Sequence, residues 1–132
     1  MTLVATCHCG STRIEMLQAP TEAHECNCTL CNRAGAVWAS FAPEEVRITA
    51  TNDQVYSASE GVNLHHFCAT CGSNTHSDCP DWSSLYNLDG TLKPGMTDGI
   101  PASRLITVNL RMVPDFDKAS LPITQVDGRN NW

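Results

Sequence analysis

The feature that most constrains this chain is the grouping of its cysteines into three short clusters. Seven of the eight cysteines lie in Cys7–Gly10, Cys26–Cys31 and Cys68–Gly72, where neighbouring cysteines are two or three residues apart. Thiolates at this spacing can turn toward one metal ion, but they are poorly placed to form disulfides with each other. Zinc takes four ligands in a tetrahedron. Cys-x-Cys plus Cys-x-x-Cys supplies four ligands, and Cys-x-Cys-x-x-Cys supplies three.

Length and charge exclude several classes of protein. The 132 residues fit a single domain, residues 1–132, with a core small enough that metal cross-links would help to stabilise it. The net charge is −6 and the eight basic side chains are scattered along the chain, so we expect no binding to nucleic acid through its phosphates. Because no stretch of about 18 apolar residues occurs, no membrane span is expected.

The number of cysteines also bears on the cellular compartment. The N-terminus lacks a basic region followed by an apolar run, so we interpret it as mature sequence without a secretion signal. Clustered thiols in the reducing cytoplasm bind metal more often than they form disulfides. A disulfide framework is the alternative, and it would need a secretion signal and distant cysteines that can pair. We therefore expect a cytoplasmic metal-binding protein.

Short runs of β-branched and aromatic residues predict a mainly β domain of small sheets. The predicted strands are Thr12–Leu17, Ala36–Phe41, Val46–Thr51, Leu64–Phe67 and Arg104–Leu110. No stretch has a helical apolar stripe longer than two turns, although a short helical turn is expected near Asp115–Leu121. The segment Cys79–Pro101 is rich in proline and glycine and is predicted to be a long loop, of a length that is usually functional or mobile.

Four of the clustered cysteines form a complete ligand set, namely Cys7, Cys9, Cys68 and Cys71. Gly10 and Gly72 each follow the last cysteine of a pair. Glycine there allows a positive φ, which lets amide N–H groups point at the sulfurs. A structural zinc contributes on the order of 10 kcal/mol of apparent folding free energy, comparable to the whole stability of a small domain. The alternative is a set of buried cysteines that stay reduced without a metal.

The remaining cluster, Cys26, Cys28 and Cys31, supplies only three thiolates. The candidates for a fourth ligand are His24, His65, His66, His76, Cys79 and solvent. A fourth ligand from the protein would close the site and make it structural. Solvent would instead leave a position at which zinc can activate a thiol or polarise a carbonyl. The spacing alone leaves these alternatives open.

Further motifs surround the clusters. They include Cys26–Trp38, His66–Gly72 and Thr75–His76, with Val108–Arg111, Leu121–Pro122 and Asp127–Trp132 near the end of the chain. Together with the order and intervals of the cysteine clusters, these segments resemble the glutathione-dependent formaldehyde-activating enzyme family, which also contains centromere protein V. The resemblance spans nearly the whole chain.

This resemblance implies a fold, a set of metal sites and an activity. The family fold is a β-tent, in which several small antiparallel sheets surround zinc. The residues matching Cys7, Cys9, Cys68 and Cys71 hold a structural zinc in the family, and those matching Cys26, Cys28 and Cys31 hold a second zinc that is regarded as catalytic. The named activity joins glutathione to formaldehyde, giving S-hydroxymethylglutathione, and is classed as a carbon–sulfur lyase. The implied partners are a small thiol, an aldehyde and up to two zinc ions per chain.

Three side chains outside the clusters are candidates for handling protons and substrate. His76 is the candidate catalytic acid or base, with His65 or His66 as the alternative, because histidine titrates near neutrality. Arg33 follows the three-cysteine cluster and could bind a substrate carboxylate with a two-pronged hydrogen bond; the alternative is a solvated or ion-paired charge. Trp82, in the predicted long loop, is a candidate for lining the cleft, whereas Trp38 is expected in the core.

Two functions remain as hypotheses. The first is a zinc-dependent carbon–sulfur lyase that joins glutathione, or an analogue, to an aldehyde such as formaldehyde. The second is a non-catalytic zinc-binding module that makes protein contacts. The number of protein ligands at the second metal distinguishes them, because a closed site has no position for a substrate. The oligomeric state is not predicted.

Overall fold

The computed structural model describes residues 2–132, which form ten β-strands and two short helices. The strands are β1 (Leu3–Thr6), β2 (Thr12–Met16), β3 (Ala23–Cys26), β4 (Trp38–Phe41), β5 (Val46–Ala50), β6 (Asp53–Tyr56), β7 (Leu64–Cys68), β8 (Asn74–Pro80), β9 (Arg104–Asn109) and β10 (Ile123–Val126). The helices are α1 (Thr29–Ala34) and α2 (Gly128–Asn131). Within these described residues, neither helix is long and apolar enough to cross a membrane. The prediction of a mainly β chain is confirmed.

The strands form two sheets. The small sheet has the order β1-β2-β5 and is antiparallel. The large sheet has the order β10-β3-β4-β9-β8-β7-β6, in which β10 and β3 are parallel and the other neighbours are antiparallel. In the parallel pair, Val126 lies opposite Cys26. The chain after β10 therefore emerges beside the three-cysteine cluster.

The hydrophobic core contains side chains from both sheets. Along β2, Ile14 and Met16 are buried, while Arg13 is exposed and Glu15 is half-buried, as expected of a strand with one face on the core. The large sheet contributes Ile106 and Val108 of β9, among others. Fully burying an aliphatic side chain of this size stabilises the fold by about 1.5–3 kcal/mol. The buried cluster consists of Ala5, Ile14, Met16, Ala23, Val37, Ala39, Phe41, Ile106, Val108 and Leu110.

Two local differences from the sequence prediction bear on the cysteine clusters. Helical periodicity does not predict α1, because six residues are too few to display an apolar stripe. The predicted loop Cys79–Pro101 begins too early, because Cys79 and Pro80 are the last two residues of β8 and lie opposite residues of β9. The expected helical turn near Asp115–Leu121 is a single 3-10 turn at Lys118–Ser120.

Candidate metal centres and the adjoining cleft

The structure brings four sulfur atoms together, those of Cys7, Cys9, Cys68 and Cys71, all within 4.8 Å of one another. Cys7 and Cys9 lie between β1 and β2, while Cys68 ends β7 and Cys71 precedes β8, so this cluster joins the two sheets. The sulfur-to-sulfur distance is 3.7 Å for Cys7–Cys9 and 3.6 Å for Cys9–Cys68. Four sulfurs at about 2.3 Å from a tetrahedral zinc ion are roughly 3.8 Å apart. The donor set therefore fits a tetrahedral metal ion, and all eight cysteines are free of disulfides.

The surroundings of this cluster favour the thiolate forms of Cys7 and Cys71. Gly10 and Gly72 have φ angles of 85° and 78°, which confirms the positive φ predicted at both positions. The backbone N–H of Thr12 donates to Cys7 Sγ at 3.2 Å. Hydrogen bonds from the side chain and backbone of Ser73 are the main reason why the pKa of Cys71 falls to about 5. Because the thiolate is the form that ligates metal, these contacts suit a metal site.

The second cluster is built by the end of one strand and the start of a helix. Cys26 is the last residue of β3, Cys28 is the N-cap of α1, and Cys31 lies within that helix. Because residues three apart in a helix lie on the same side, the start of α1 turns Cys28 and Cys31 toward one point. The three sulfur atoms lie within 4.8 Å of one another. The helix ends at Ala34, since Gly35 adopts the left-handed conformation with φ of 63°.

Three N–H groups point at the sulfurs of this cluster. The backbone N–H of Cys28 donates to Cys26 Sγ at 3.4 Å, and that of Cys31 donates to Cys28 Sγ at 3.3 Å. The indole N–H of Trp38 donates to Cys31 Sγ at 3.4 Å. These bonds favour the thiolate, but burial has the larger effect on Cys31 and raises its pKa to about 12. A thiolate at Cys31 therefore needs a cation beside it, so the three sulfurs suit a metal ion.

The C-terminal segment packs against the three-cysteine cluster at Gly128. A Cβ atom on Gly128 would lie 2.5 Å from Cys26 Sγ, closer than side-chain atoms approach without displacement. Asn27 holds the segment in place: its side chain donates to Asp127 Oδ1 and accepts from the backbone N–H of Arg129, both at 2.9 Å. The end of the chain therefore forms one wall of the cluster.

A cleft of about 190 Å³ opens beside the cluster. It is lined by Glu25, Cys26, Asn27, Cys31, Asn32, Gly35, Ala36 and Gln125. Within residues 2–132, no fourth His, Cys, Asp or Glu places a ligand atom within 4.8 Å of all three sulfurs. The cluster thus combines three sulfur ligands with space for a small molecule. A larger cavity, of about 310 Å³, adjoins the other cluster at Cys7, but four sulfurs there already complete a tetrahedron.

The protein side chains considered as a fourth ligand lie elsewhere. They are His24, His65, His66, His76 and Cys79, and in the described part of the chain none of them joins the three sulfurs. His66 Nδ1 contacts Asp53 Oδ2 at 2.6 Å, and His65 Nδ1 contacts Ser77 Oγ at 2.8 Å. Cys79 is half-buried, and burial raises its pKa to about 11. The alternative in which one of these groups closes the site has no geometric support.

His76, the predicted acid or base, is buried on β8 with 3% of its surface exposed. Its Nδ1 shares a 2.9 Å hydrogen bond with Thr75 Oγ1, and its ring stacks on His66 with the centroids 4.2 Å apart. Burial, followed by the charge of His66, lowers the pKa of His76 to about 4. Among the described residues, those that line the cleft do not include His76.

Arg33 and Trp82, the predicted substrate-binding residues, also lie outside the lining of the cleft in the described chain. Arg33 is exposed on α1 and donates from Nη1 to the carbonyl of Thr29, in its own helix, at 2.8 Å. Trp82 lies in a 3-10 turn after β8 and donates from its indole N–H to Asn63 Oδ1 at 3.0 Å. Their roles in binding stay predictions.

The sequence alone does not predict that Trp38 and Gly128 contact the three-cysteine cluster. Trp38 is 6% exposed and lies in the core, as expected, but its contact with Cys31 is visible only once β3 and β4 pair. Gly128 lies far from Cys26 in the sequence, and the parallel pairing of β10 with β3 brings it there. Both residues lie in segments that resemble the family, Trp38 in Cys26–Trp38 and Gly128 in Asp127–Trp132. That resemblance is the sequence signal that could have indicated a role for them.

Comparison with known proteins identifies the family. The family model described as glutathione-dependent formaldehyde-activating enzyme matches residues 2–98 of the 132 residues. The chain belongs to this family. The match contains all seven clustered cysteines, and it confirms the resemblance inferred from their spacing. Membership of the glutathione-dependent formaldehyde-activating enzyme family associates the chain with glutathione-dependent activation of formaldehyde in general.

A solved structure shares the fold of this family member. It is the crystal structure of a Rhodobacter sphaeroides protein determined as a structural-genomics target, with a TM-score of 0.63 and 25% sequence identity. The similarity covers 92% of this chain and 100% of that chain. A comparison with curated proteins found no significant match.

Proposed function

We propose that this protein is a zinc-dependent carbon–sulfur lyase that joins a small thiol, glutathione or an analogue, to an aldehyde such as formaldehyde. The observation that carries the proposal is the three-cysteine cluster beside its cleft. Three sulfur ligands meet there within 4.8 Å, and the described chain adds no fourth His, Cys, Asp or Glu. Four-ligand zinc sites are structural, whereas three-ligand sites keep a position for a reactant. Membership of the formaldehyde-activating family supports the same reaction.

The reaction is an addition without net oxidation. The thiol loses its proton, and its sulfur forms a bond to the aldehyde carbon. The electron pair of the carbonyl π bond moves to the oxygen, which takes up a proton, so that a hemithioacetal results. Zinc, when bound, lowers the pKa of a thiol or polarises a carbonyl oxygen. The protein must therefore hold three thiolates, admit both reactants and allow one proton to leave and one to arrive.

The residues around the cluster supply the first two requirements. The N–H groups of Cys28, Cys31 and Trp38 hold the sulfurs in place. The cleft admits a molecule of modest size, and its lining includes the exposed Asn32, whose side-chain amide can bond to a peptide group of glutathione.

The third requirement is proton movement. The acid–base role of His76 stays a prediction, and two facts count against it. Its low pKa keeps the ring neutral at pH 7, and the ring is buried among Thr75 and His66. Exchange of protons with water through the open side of the cleft is the simpler route that the lining allows.

The other cluster is proposed to hold a structural zinc. Its sulfurs join the turn after β1 to β7 and the turn before β8, and Cys7 and Cys68 are buried. Because metal binding to such a site is coupled to folding, its loss is expected to unfold the chain. We thus propose up to two zinc ions per chain, with different roles.

The test is to measure the exchange between free and glutathione-bound formaldehyde by proton NMR with and without protein. We expect wild type to speed this exchange above the spontaneous rate, and Cys28→Ser to lose the effect because the cluster keeps only two sulfurs. Cys79→Ser is the matched control, since Cys79 lies outside both clusters, and it should behave as wild type. If wild type leaves the exchange at its spontaneous rate, the proposed reaction is excluded.

A further inference from the structure

The long loop after β8 contains a folded hairpin, residues 85–93. Tyr86 and Leu92 form an antiparallel bridge, and at the turn between them the backbone N–H of Gly90 donates to the carbonyl of Asn87 at 3.0 Å. Within residues 2–132, neither the two cysteine clusters nor the cleft lining includes a residue of this hairpin. What the hairpin contributes must therefore come from the groups that its tip contacts.

The tip of the 85–93 hairpin lies directly against the end of α2. A Cβ atom on Gly90 would be 2.8 Å from the carbonyl oxygen of Asn131 and 3.6 Å from Cε3 of Trp132. The nearer of these atoms belongs to the backbone, so a side chain at Gly90 would fit only if α2 or the hairpin moved. Gly90 also has a φ angle of 84°, a conformation that glycine adopts without strain. Glycine at this position therefore allows the hairpin to approach α2.

The indole of Trp132 lies between the hairpin tip and the three-cysteine cluster. Its Cε3 atom faces Gly90, whereas its Cε2 and Nε1 atoms would each be 2.9 Å from a Cβ atom on Gly128. The same added atom on Gly128 would be 2.5 Å from Cys26 Sγ. A series of close approaches therefore runs from the hairpin tip to one of the three sulfurs.

The two ends of this series are joined by α2, which is a single turn. The backbone N–H of Trp132 donates to the carbonyl of Gly128 at 3.0 Å, and that of Asn131 donates to the carbonyl of Asp127 at 3.2 Å. Because these bonds tie the last residues of the turn to the first, a displacement of the end of α2 also displaces its start. Pressure from the hairpin tip is thus passed to the sulfur that Gly128 contacts.

We propose that the tip of the 85–93 hairpin positions Cys26 for metal binding by holding α2 against it, with Gly90 and Trp132 as the positioning residues. This assignment rests on the metal ion proposed for the three-cysteine cluster, but not on the reaction proposed there. Groups that orient metal ligands from behind commonly contribute about 10- to 100-fold to metal affinity. The hairpin thereby gives the long loop a role at a metal centre that it does not line.

The experiment compares two glycines of the long loop that share one backbone conformation. Gly90 and Gly95 have φ angles of 84° and 79°, so alanine at either position adopts the same unfavourable left-handed conformation. Apart from its chain neighbours, no atom of residues 2–132 lies within 4 Å of a Cβ atom on Gly95. Only Gly90→Ala therefore presses on α2. We expect Gly90→Ala to lower cobalt affinity at the three-cysteine cluster about tenfold, and Gly95→Ala to match wild type.

The full chain is loaded with cobalt in place of zinc and titrated with a chelator while its sulfur-to-cobalt absorption is recorded. Subtracting the signal of the same protein with Cys28→Ser isolates the share of the three-cysteine cluster. The four-cysteine cluster is the internal control and should keep its ion at the same chelator concentration in every variant. Wild-type affinity in Gly90→Ala, equal losses in Gly90→Ala and Gly95→Ala, or equal losses at both clusters would overturn the proposal.

Trp132→Ala tests the same series of contacts without adding an atom. Trp132 is 64% exposed, so this variant is expected to fold. Loss of the indole removes the group between the hairpin tip and Gly128, and we expect cobalt to leave the three-cysteine cluster at a lower chelator concentration. Leu88→Ala is the matched control, since Leu88 is 62% exposed on the same hairpin. If Gly90→Ala does not fold, wild-type cobalt retention by Trp132→Ala overturns the proposal.

The outcome is separable from that of the proposed reaction. If Gly90→Ala and Trp132→Ala release cobalt early but wild type leaves the formaldehyde exchange at its spontaneous rate, the reaction fails and the positioning role stands. If wild type speeds the exchange and both variants retain cobalt as wild type does, the reaction stands and the positioning role fails.

Discussion

Gly128 lies so close to Cys26 that a Cβ atom added to it would be 2.5 Å from the cysteine sulfur. This approach follows from the parallel pairing of β10 with β3, which places Val126 opposite Cys26 and starts α2 directly beyond it. The same added atom would be 2.9 Å from the indole of Trp132. The absence of a side chain at Gly128 therefore lets the chain end lie against the three-cysteine cluster.

Gly128→Ala is expected to disturb the three-cysteine site selectively. Either Cys26 or α2 must move, and overpacking of this kind costs typically about 1–3 kcal/mol. We expect the variant to bind metal more weakly at this cluster while the four-cysteine cluster keeps its ion, measured as zinc retained during graded chelation. Asn131→Ala, also in α2 and exposed, serves as the control and should retain zinc as wild type does. If Gly128→Ala retains zinc as well as wild type does, the close packing of Gly128 against Cys26 is contradicted.

Trp38→Phe removes the indole N–H that donates to Cys31 Sγ but keeps an aromatic ring in the core. Groups that bond to metal ligands commonly contribute about 10- to 100-fold to metal affinity. We expect Trp38→Phe to lower cobalt affinity at the three-cysteine cluster by about tenfold and to shift the sulfur-to-cobalt absorption band. Trp82→Phe is the matched control, since its indole bonds to Asn63 instead. Identical spectra and affinities for Trp38→Phe and wild type would exclude a role for this bond.

The division of cysteines into four and three is visible in the sequence, because ligand spacing within a cluster is local. The strands β2, β5 and β9 are likewise predictable from their β-branched residues. The short helix α1 is not, since a six-residue helix owes its start to a cysteine N-cap and its end to Gly35. The contacts of Gly128 and Arg129 depend on which strands pair, and pairing between distant segments leaves no local pattern.

The buried histidine gives a prediction about pH. The pKa of His76 is lowered by burial from 6.5 to about 4, so between these values the unfolded chain binds more protons than the folded one. Stability should therefore fall as the pH drops from about 6.5 to about 4, by up to about 3 kcal/mol from this group. The contribution is absent above pH 6.5, where both states are neutral.

Urea unfolding of wild type and His76→Gln at pH 7 and pH 5 measures this contribution. Because loss of metal in acid affects both proteins, the comparison between them isolates His76. We expect wild type to lose more stability than the variant on going to pH 5. The exposed His8 provides a control, and His8→Gln should follow wild type. If the free energy of unfolding depends on pH equally in wild type and His76→Gln, the His76 ring is not held neutral by burial.

The central claim is that the two clusters hold separate ions with different roles, and metal analysis of two variants tests it most directly. We expect wild type to carry up to two zinc ions per chain. Cys28→Ser should keep one ion and remain folded by circular dichroism, because Cys28 serves only the three-cysteine cluster. Cys68→Ser should lose its folded structure, because Cys68 joins the sheets. Equal loss of folding in both variants, or no zinc in wild type, would contradict the account.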